Sequence, residues 1–96
     1  MTKEQIALGR HALGLPNRRH KSYRNHFVAG EGHEDYAEWM EMVKDGNAVR
    51  SNGSPITGND PVFRLTNLGA LECLMPREML SEEDFAILIQ KTKGKK

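Results

Sequence analysis

Four histidines and one cysteine are the side chains of this 96-residue chain best suited to metal ligation or nucleophilic chemistry. His11, His20, His26 and His33 are spaced by 9, 6 and 7 positions, which matches no common ligand pattern, and Cys73 lies far along the chain. No metal site is expected. A nucleophile needs a base within hydrogen-bond reach, and the sequence indicates no Ser–His or Cys–His pairing. Cys73 reads as a small hydrophobe, buried or half-buried. Gly30, Gly32, Gly53, Gly58 and Gly69 lack the Gly-Lys-Ser/Thr chemistry of a phosphate-cradling loop. The expectation is a protein with no catalytic residues and no cofactor.

Charge offers more. Arg18, Arg19, Lys21 and Arg24 have Tyr23 and Phe27 interleaved, cations that can pair phosphates beside aromatics that can stack. His20 and His26 fall in the same stretch and add positive charge when partly protonated near neutral pH. The plainer reading is that Tyr23 and Phe27 complete a core with only six aromatic residues to draw on, leaving the cations solvated. Positions 31–46 have the opposite character, with Glu31, Glu34, Asp35, Glu38, Glu41 and Asp45 against Lys44 alone, a net of −5. Positions 1–30 sum to +5, so the overall +1, from 14 basic and 13 acidic side chains, is a cancellation. A further use of this asymmetry is pairing between the two segments, within one molecule or between two. Exposed ion pairs contribute only about 0–1 kcal/mol each, so such pairing would guide association more than hold a fold.

The elements that position these residues are bounded by composition. At 96 residues, 38% hydrophobic and 28% charged, the chain is one domain with a small core. A single cysteine allows no intramolecular disulfide. No stretch approaches the roughly 18 apolar residues of a membrane span, and the first residues lack the apolar region of a signal peptide. A cytoplasmic location and no membrane partner are the expectations. Residues 1–90 are taken as the domain and 91–96, with four lysines in six residues, as a solvated, frayed tail.

Thr2 and Gln5 have capping-box spacing at the head of a helix over about residues 3–13, which Gly14, Leu15 and Pro16 end. Gly9 costs that helix about 1 kcal/mol relative to Ala. Residues 23–28 suit either a short strand or a helical turn presenting Tyr23 and Phe27. Over residues 34–45, Tyr36, Trp39, Met40 and Val43 fit the helix template, with Gly46 at the expected C-terminal position. Met40 is on that apolar stripe. Met42 falls off it and suits either an adaptable exposed contact or a gap in the core, as do Met75 and Met79. Residues 47–51 and 62–66 read as a hairpin with a long, mobile, turn-rich tip. Thr66 caps a helix whose Leu68, Leu71, Leu74 and Met75 recur until Pro76. A last helix over residues 82–91, with Phe85, Leu88 and Ile89 on one stripe, suits docking on its own core or on a second subunit, forming a homodimer.

Helix, linker, amphipathic helix ending in glycine, strand, tip, strand, helix is the element order of a winged-helix module. Trp39-Met40-Glu41-Met42-Val43-Lys44-Asp45-Gly46-Asn47-Ala48-Val49 resembles the helix and first wing strand of that superfamily, and Val62-Phe63-Arg64-Leu65-Thr66-Asn67-Leu68-Gly69 its second strand and following helix. The whole chain, through His11-Ala12-Leu13-Gly14-Leu15 and Tyr23-Arg24-Asn25-His26-Phe27 before Asp35-Tyr36, also looks like small uncharacterised proteins encoded by bacteriophages and prophages. The resemblance implies an α+β fold, a small winged-helix-like single domain with helices packed on a β-hairpin wing, and an accessory protein acting on phage or host macromolecules. It would send the helix over residues 34–45 into a DNA major groove, where its carboxylates meet phosphates with the wrong sign. The leading expectation is therefore a binding protein whose contact face is Glu34, Asp35, Glu38, Glu41 and Asp45. Its partner is a host or phage protein, and imitation of a nucleic acid's phosphate array would suit an inhibitor of host defence. The alternative is a winged-helix transcriptional regulator that binds duplex DNA through Arg18, Arg19, Lys21, Arg24, Arg50 and Arg64.

Overall fold

The computed structural model describes residues 1–85. The expected helix over residues 82–91 lies outside the described residues from position 86 on, as does the lysine tail. What is described is α+β, with three α-helices and one three-stranded antiparallel sheet.

Helix α1, Lys3–Leu13, starts and stops where the sequence places it. The Gln5 backbone N–H donates to Thr2 Oγ1 (3.1 Å) and the Thr2 N–H donates back to Gln5 Oε1 (3.0 Å). Gly14 ends the helix at φ 80°, a left-handed conformation that a side chain disfavours, and the Leu15 N–H reaches back to the Arg10 carbonyl at 2.8 Å. Gly9 is buried against α3, Asn67–Glu72, and a Cβ there would collide with Cys73 Sγ. The propensity lost at Gly9 is thus the condition for close helix approach.

The sheet has the order β1-β3-β2, from Phe27–Val28, Val62–Leu65 and Ala48–Ser51. Of the two alternatives for residues 23–28, the strand is realised, but only at its last two residues. Ahead of it the Asn25 amide replaces a strand neighbour, donating to the Leu65 carbonyl (3.1 Å) and accepting from the Leu65 N–H (2.9 Å). The hairpin tip contains a short turn of 3-10 helix. Ser54 opens a 3-10 turn, Pro55–Thr57, and Thr57 Oγ1 accepts from the Ser54 N–H (2.9 Å) and donates to the Asp60 carbonyl (2.9 Å).

Helix α2, Tyr36–Lys44, supplies the centre of the core. Trp39 is stacked on Phe63 (5.5 Å between ring centroids) and tilted against Phe27 (5.3 Å), while Tyr36 meets Phe63 edge-on. Met42 is completely buried and Met40 only half-buried, so the exposed placement considered for Met42 is corrected. At about 100° per residue, the Trp39–Met42 side is turned by roughly 80° from the middle of the apolar stripe. The physical reason is the reversal at Gly46 (φ 81°), where the Asn47 N–H bonds to the Met42 carbonyl (2.8 Å) and leads β2 back over that side.

α3 ends at Glu72, short of the expected Met75, and buries the side opposite to expectation. Leu68 and Leu71 are 61% and 48% exposed, whereas Gly69, Ala70 and Cys73 are buried. A Cβ on Gly69 would collide with the Asn47 carbonyl oxygen, so only the small side of this helix can lie against the strand connection. Beyond α3 the chain returns to α1, where Glu78 and Arg10 form a paired fork with N···O distances of 2.5 and 2.8 Å. Residues 79–81 then run beside residues 20–22: the Met79 N–H donates to the His20 carbonyl (2.8 Å) and the Ser22 N–H to the Met79 carbonyl (2.9 Å).

Candidate functional site

The carboxylates on and around α2 are placed by their spacing. Within the helix, Glu38 and Glu41 are three positions apart and so share one flank, while Glu34 and Asp45 lie in the turns just before and just after it. Trp39 and Met42 anchor a different side in the core, so the flank is fixed relative to the domain. Glu34, Glu41 and Asp45 are exposed, and none forms an ion pair among the described residues.

The other two expected members are only partly exposed. Glu38 is half-buried and its Oε1 accepts from Gln5 Nε2 (3.1 Å). Asp35 is half-buried, its backbone N–H donates to His33 Nδ1 (3.0 Å), and its carboxylate lies 3.8 Å from that nitrogen with no hydrogen bond among the described residues. Of the five expected carboxylates, three are therefore exposed and one, Glu38, is held by a hydrogen bond. Among the described residues no ion pair joins positions 1–30 to positions 31–46; Gln5 and Glu38 are joined by a hydrogen bond instead.

The six cations expected to bind nucleic acid do not form one surface. Arg18, Arg19 and Lys21 line a surface cavity of about 430 Å³. Arg24 turns back to α1, where its Nη2 donates to the His11 carbonyl at 2.7 Å and completes the end of that helix. Arg50 pairs with Phe63 and Arg64 with Val49 in the sheet register, and successive strand residues face opposite ways, so these two arginines leave opposite faces of the sheet. Arg64 also donates to Ser51 Oγ (3.1 Å). Tyr23 does not complete the core: it is 64% exposed, with Gly14 against its ring and the Arg24 guanidinium 5.2 Å from the ring centroid. Phe27 is the half-buried partner of the core, touched edge-on by the rings of His11 and His33.

Among the described residues no group of three or more His, Cys, Asp or Glu side chains could hold a metal ion. Cys73 is buried, and burial pushes its thiol pKa up to about 11, with the neighbouring Glu72 charge acting in the same direction. A thiol so shifted is protonated at neutral pH and has little nucleophilic character. No helix among the described residues is long and apolar enough to cross a membrane.

Two features were not read from the sequence. One is the Arg10–Glu78 fork, which joins residues 68 positions apart and had no local signal. The other is the wall that completes the cavity around Arg18, Arg19 and Lys21, contributed by Asn17, Ser22, Ser81 and Glu83. The Pro16-Asn17 pair was a legible turn signal, whereas Ser81 and Glu83 arrive only through tertiary pairing. No protein-family model, no curated protein and no solved structure matches the chain.

Proposed function

We propose that this protein is a non-enzymatic accessory protein that acts by binding, and that the acidic surface on and around α2 is its contact face for a basic protein of phage or host. The observation that carries this reading is the exposure of Glu41 on α2 and of Glu34 and Asp45 in the turns at its two ends, on an element locked into the core by Trp39 and Met42, with no cation paired to the three among the described residues. Exposed, unpaired carboxylates along one element favour a basic partner, which gains steering and register from them. Carboxylates of this kind suit imitation of a phosphate array, as inhibition of a host nuclease or nucleoprotein would require. The test is charge reversal at the three exposed positions. Glu34→Lys, Glu41→Lys and Asp45→Lys together should keep the circular dichroism spectrum and abolish salt-sensitive capture of the partner from host lysate. Unchanged capture sinks the reading.

A second reading, a winged-helix regulator on duplex DNA, is favoured by the element order, in which α1, α2, the hairpin of β2 and β3, and α3 follow as that resemblance requires. It is weakened by the dispersal of its cations, since Arg24 is committed to α1 and Arg50 and Arg64 leave opposite faces. A mobility shift on duplex DNA that weakens steeply with salt, and less steeply after Arg18→Ala, Arg19→Ala and Lys21→Ala, would favour it.

A further inference from the structure

The cavity beside Asn17 collects three cations that nothing else in the described chain neutralises. Arg18, Arg19 and Lys21 line it, and among the described residues none of them forms an ion pair and Glu83 is the one carboxylate on its wall. Its volume of about 430 Å³ falls within the roughly 300–1,000 Å³ typical of small-molecule sites.

Although the cationic side chains reach solvent, the backbone beneath them is tightly held. Asn17 Nδ2 donates to the carbonyls of Gly14 (3.0 Å) and Lys21 (2.7 Å), closing the turn from inside. His20 adopts φ 56°, which a side chain takes only when the surroundings impose it. The opposite wall is fixed by the Ser81 N–H, which donates to Ser22 Oγ (2.7 Å), and by the Glu83 N–H, which donates to Ser81 Oγ (3.2 Å). Ser22 is buried, and its hydroxyl proton is left to find an acceptor. Three like charges gathered around one cavity favour an anion there.

We propose that this cavity is a binding site for a phosphomonoester dianion carried by a small molecule. Three cations and one carboxylate leave the cavity at +2. That balances a terminal phosphate, which carries about −1.5 to −2 near neutral pH, and over-compensates the single charge of a phosphodiester. Arginine guanidinium groups pair phosphate oxygens in bidentate geometry, and the lysine adds a point charge. Tyr23, its ring against Gly14 and the Arg24 guanidinium, also lines the cavity. This site is independent of the acidic surface on and around α2.

The test is a titration of the full chain, followed by amide chemical shifts and calorimetry, with inorganic phosphate, adenosine 5′-monophosphate, adenosine 3′,5′-cyclic monophosphate and adenosine. The expected result is saturable binding of the first two, mapped to residues 17–22 and 81, with the cyclic diester weaker by roughly tenfold and adenosine silent. Arg18→Ala with Lys21→Ala should weaken binding at least roughly tenfold, and Arg50→Ala should leave it unchanged. Glu83→Gln should tighten it, a gain that loss of folding cannot mimic. No saturation by about 10 mM phosphate, or retention of binding in the Arg18/Lys21 variant, overturns the proposal. Equal affinity for the cyclic diester overturns the assignment to monoesters, and a response to duplex DNA alone transfers these cations to nucleic-acid binding.

Discussion

Removing the carboxylate of Glu78 should be the most damaging single change of a charged residue in this protein. Its side chain is 5% exposed and that of its partner Arg10 12%, so both charges are largely out of water. Glu78 accepts two charge-assisted hydrogen bonds from the guanidinium, at 2.5 and 2.8 Å, and a third from the Met75 N–H at 2.7 Å. Arg10 also donates to the Cys73 carbonyl at 2.8 Å, so the pair fastens the end of α3 and the returning chain onto α1. Glu78→Ala leaves the guanidinium buried without its counter-charge, for which about 3–5 kcal/mol is the expected cost. In a domain of this size each kcal/mol lowers Tm by about 4–8 °C, so the fall should exceed roughly 12 °C. Replacing both partners, as Arg10→Met with Glu78→Leu, should recover most of the loss, because no buried charge is then left alone. The Arg10 hydrogen bonds hold Glu78 below the usual carboxylate range, against the opposing effect of burial. With the folded pKa below the unfolded one, the ionic stabilisation is complete above the unfolded value of about 4.3 and is lost as pH falls through the folded value. Urea denaturation followed by circular dichroism from pH 7 to acid should show the gap between wild type and Glu78→Gln constant at first, then closing below about pH 4. A loss under about 1 kcal/mol for Glu78→Ala, or a gap that does not close in acid, refutes this account of the fork.

Gly69→Ala should destabilise the fold by about 1–3 kcal/mol or more, measured by urea denaturation, because the new Cβ meets the backbone carbonyl of Asn47 rather than a yielding side chain. Gly9→Ala should also destabilise, despite the gain in helix propensity, since the added methyl displaces Cys73 Sγ. Cys73, buried with its thiol pKa raised to about 11, should resist a thiol reagent at pH 8 in the folded protein and react promptly in denaturant. Ile56, 96% exposed on the 3-10 turn, should change to Ser with a stability effect within about 0.5 kcal/mol by the same denaturation assay.

Local signals were legible and tertiary ones were not. Thr2, Gln5 and Gly14 define α1 through contacts within a few residues, and the structure repeats them bond for bond. The two hairpin strands, Ala48–Ser51 and Val62–Leu65, likewise fall within the ranges that turn formers bound in the sequence. The buried sides of α2 and α3 required knowledge of what lies against them. Met42 is buried because β2 returns over it, and Leu68 and Leu71 are exposed because Gly69 must touch the backbone at Asn47. Hydropathy counts apolar area and so favours the leucine side of α3, but close backbone approach selects the side with no side chain. The candidate site divides in the same way. The acidic run is local and could be read from residues 34–45. The separation of Arg50 from Arg64 depends on pairing register, and the commitment of Arg24 to the His11 carbonyl depends on how residues 23–26 pass the end of α1.

The central claim, that the exposed carboxylates on and around α2 are a contact face, is tested most directly by quantitative capture from host lysate. Wild-type protein and the Glu34→Lys, Glu41→Lys, Asp45→Lys variant, shown by circular dichroism to be equally folded, should be compared by mass spectrometry of the proteins they retain. The account predicts a basic protein held by the wild type, released by raised salt and missing from the variant. The same protein retained equally by both, with no dependence on salt, would contradict it.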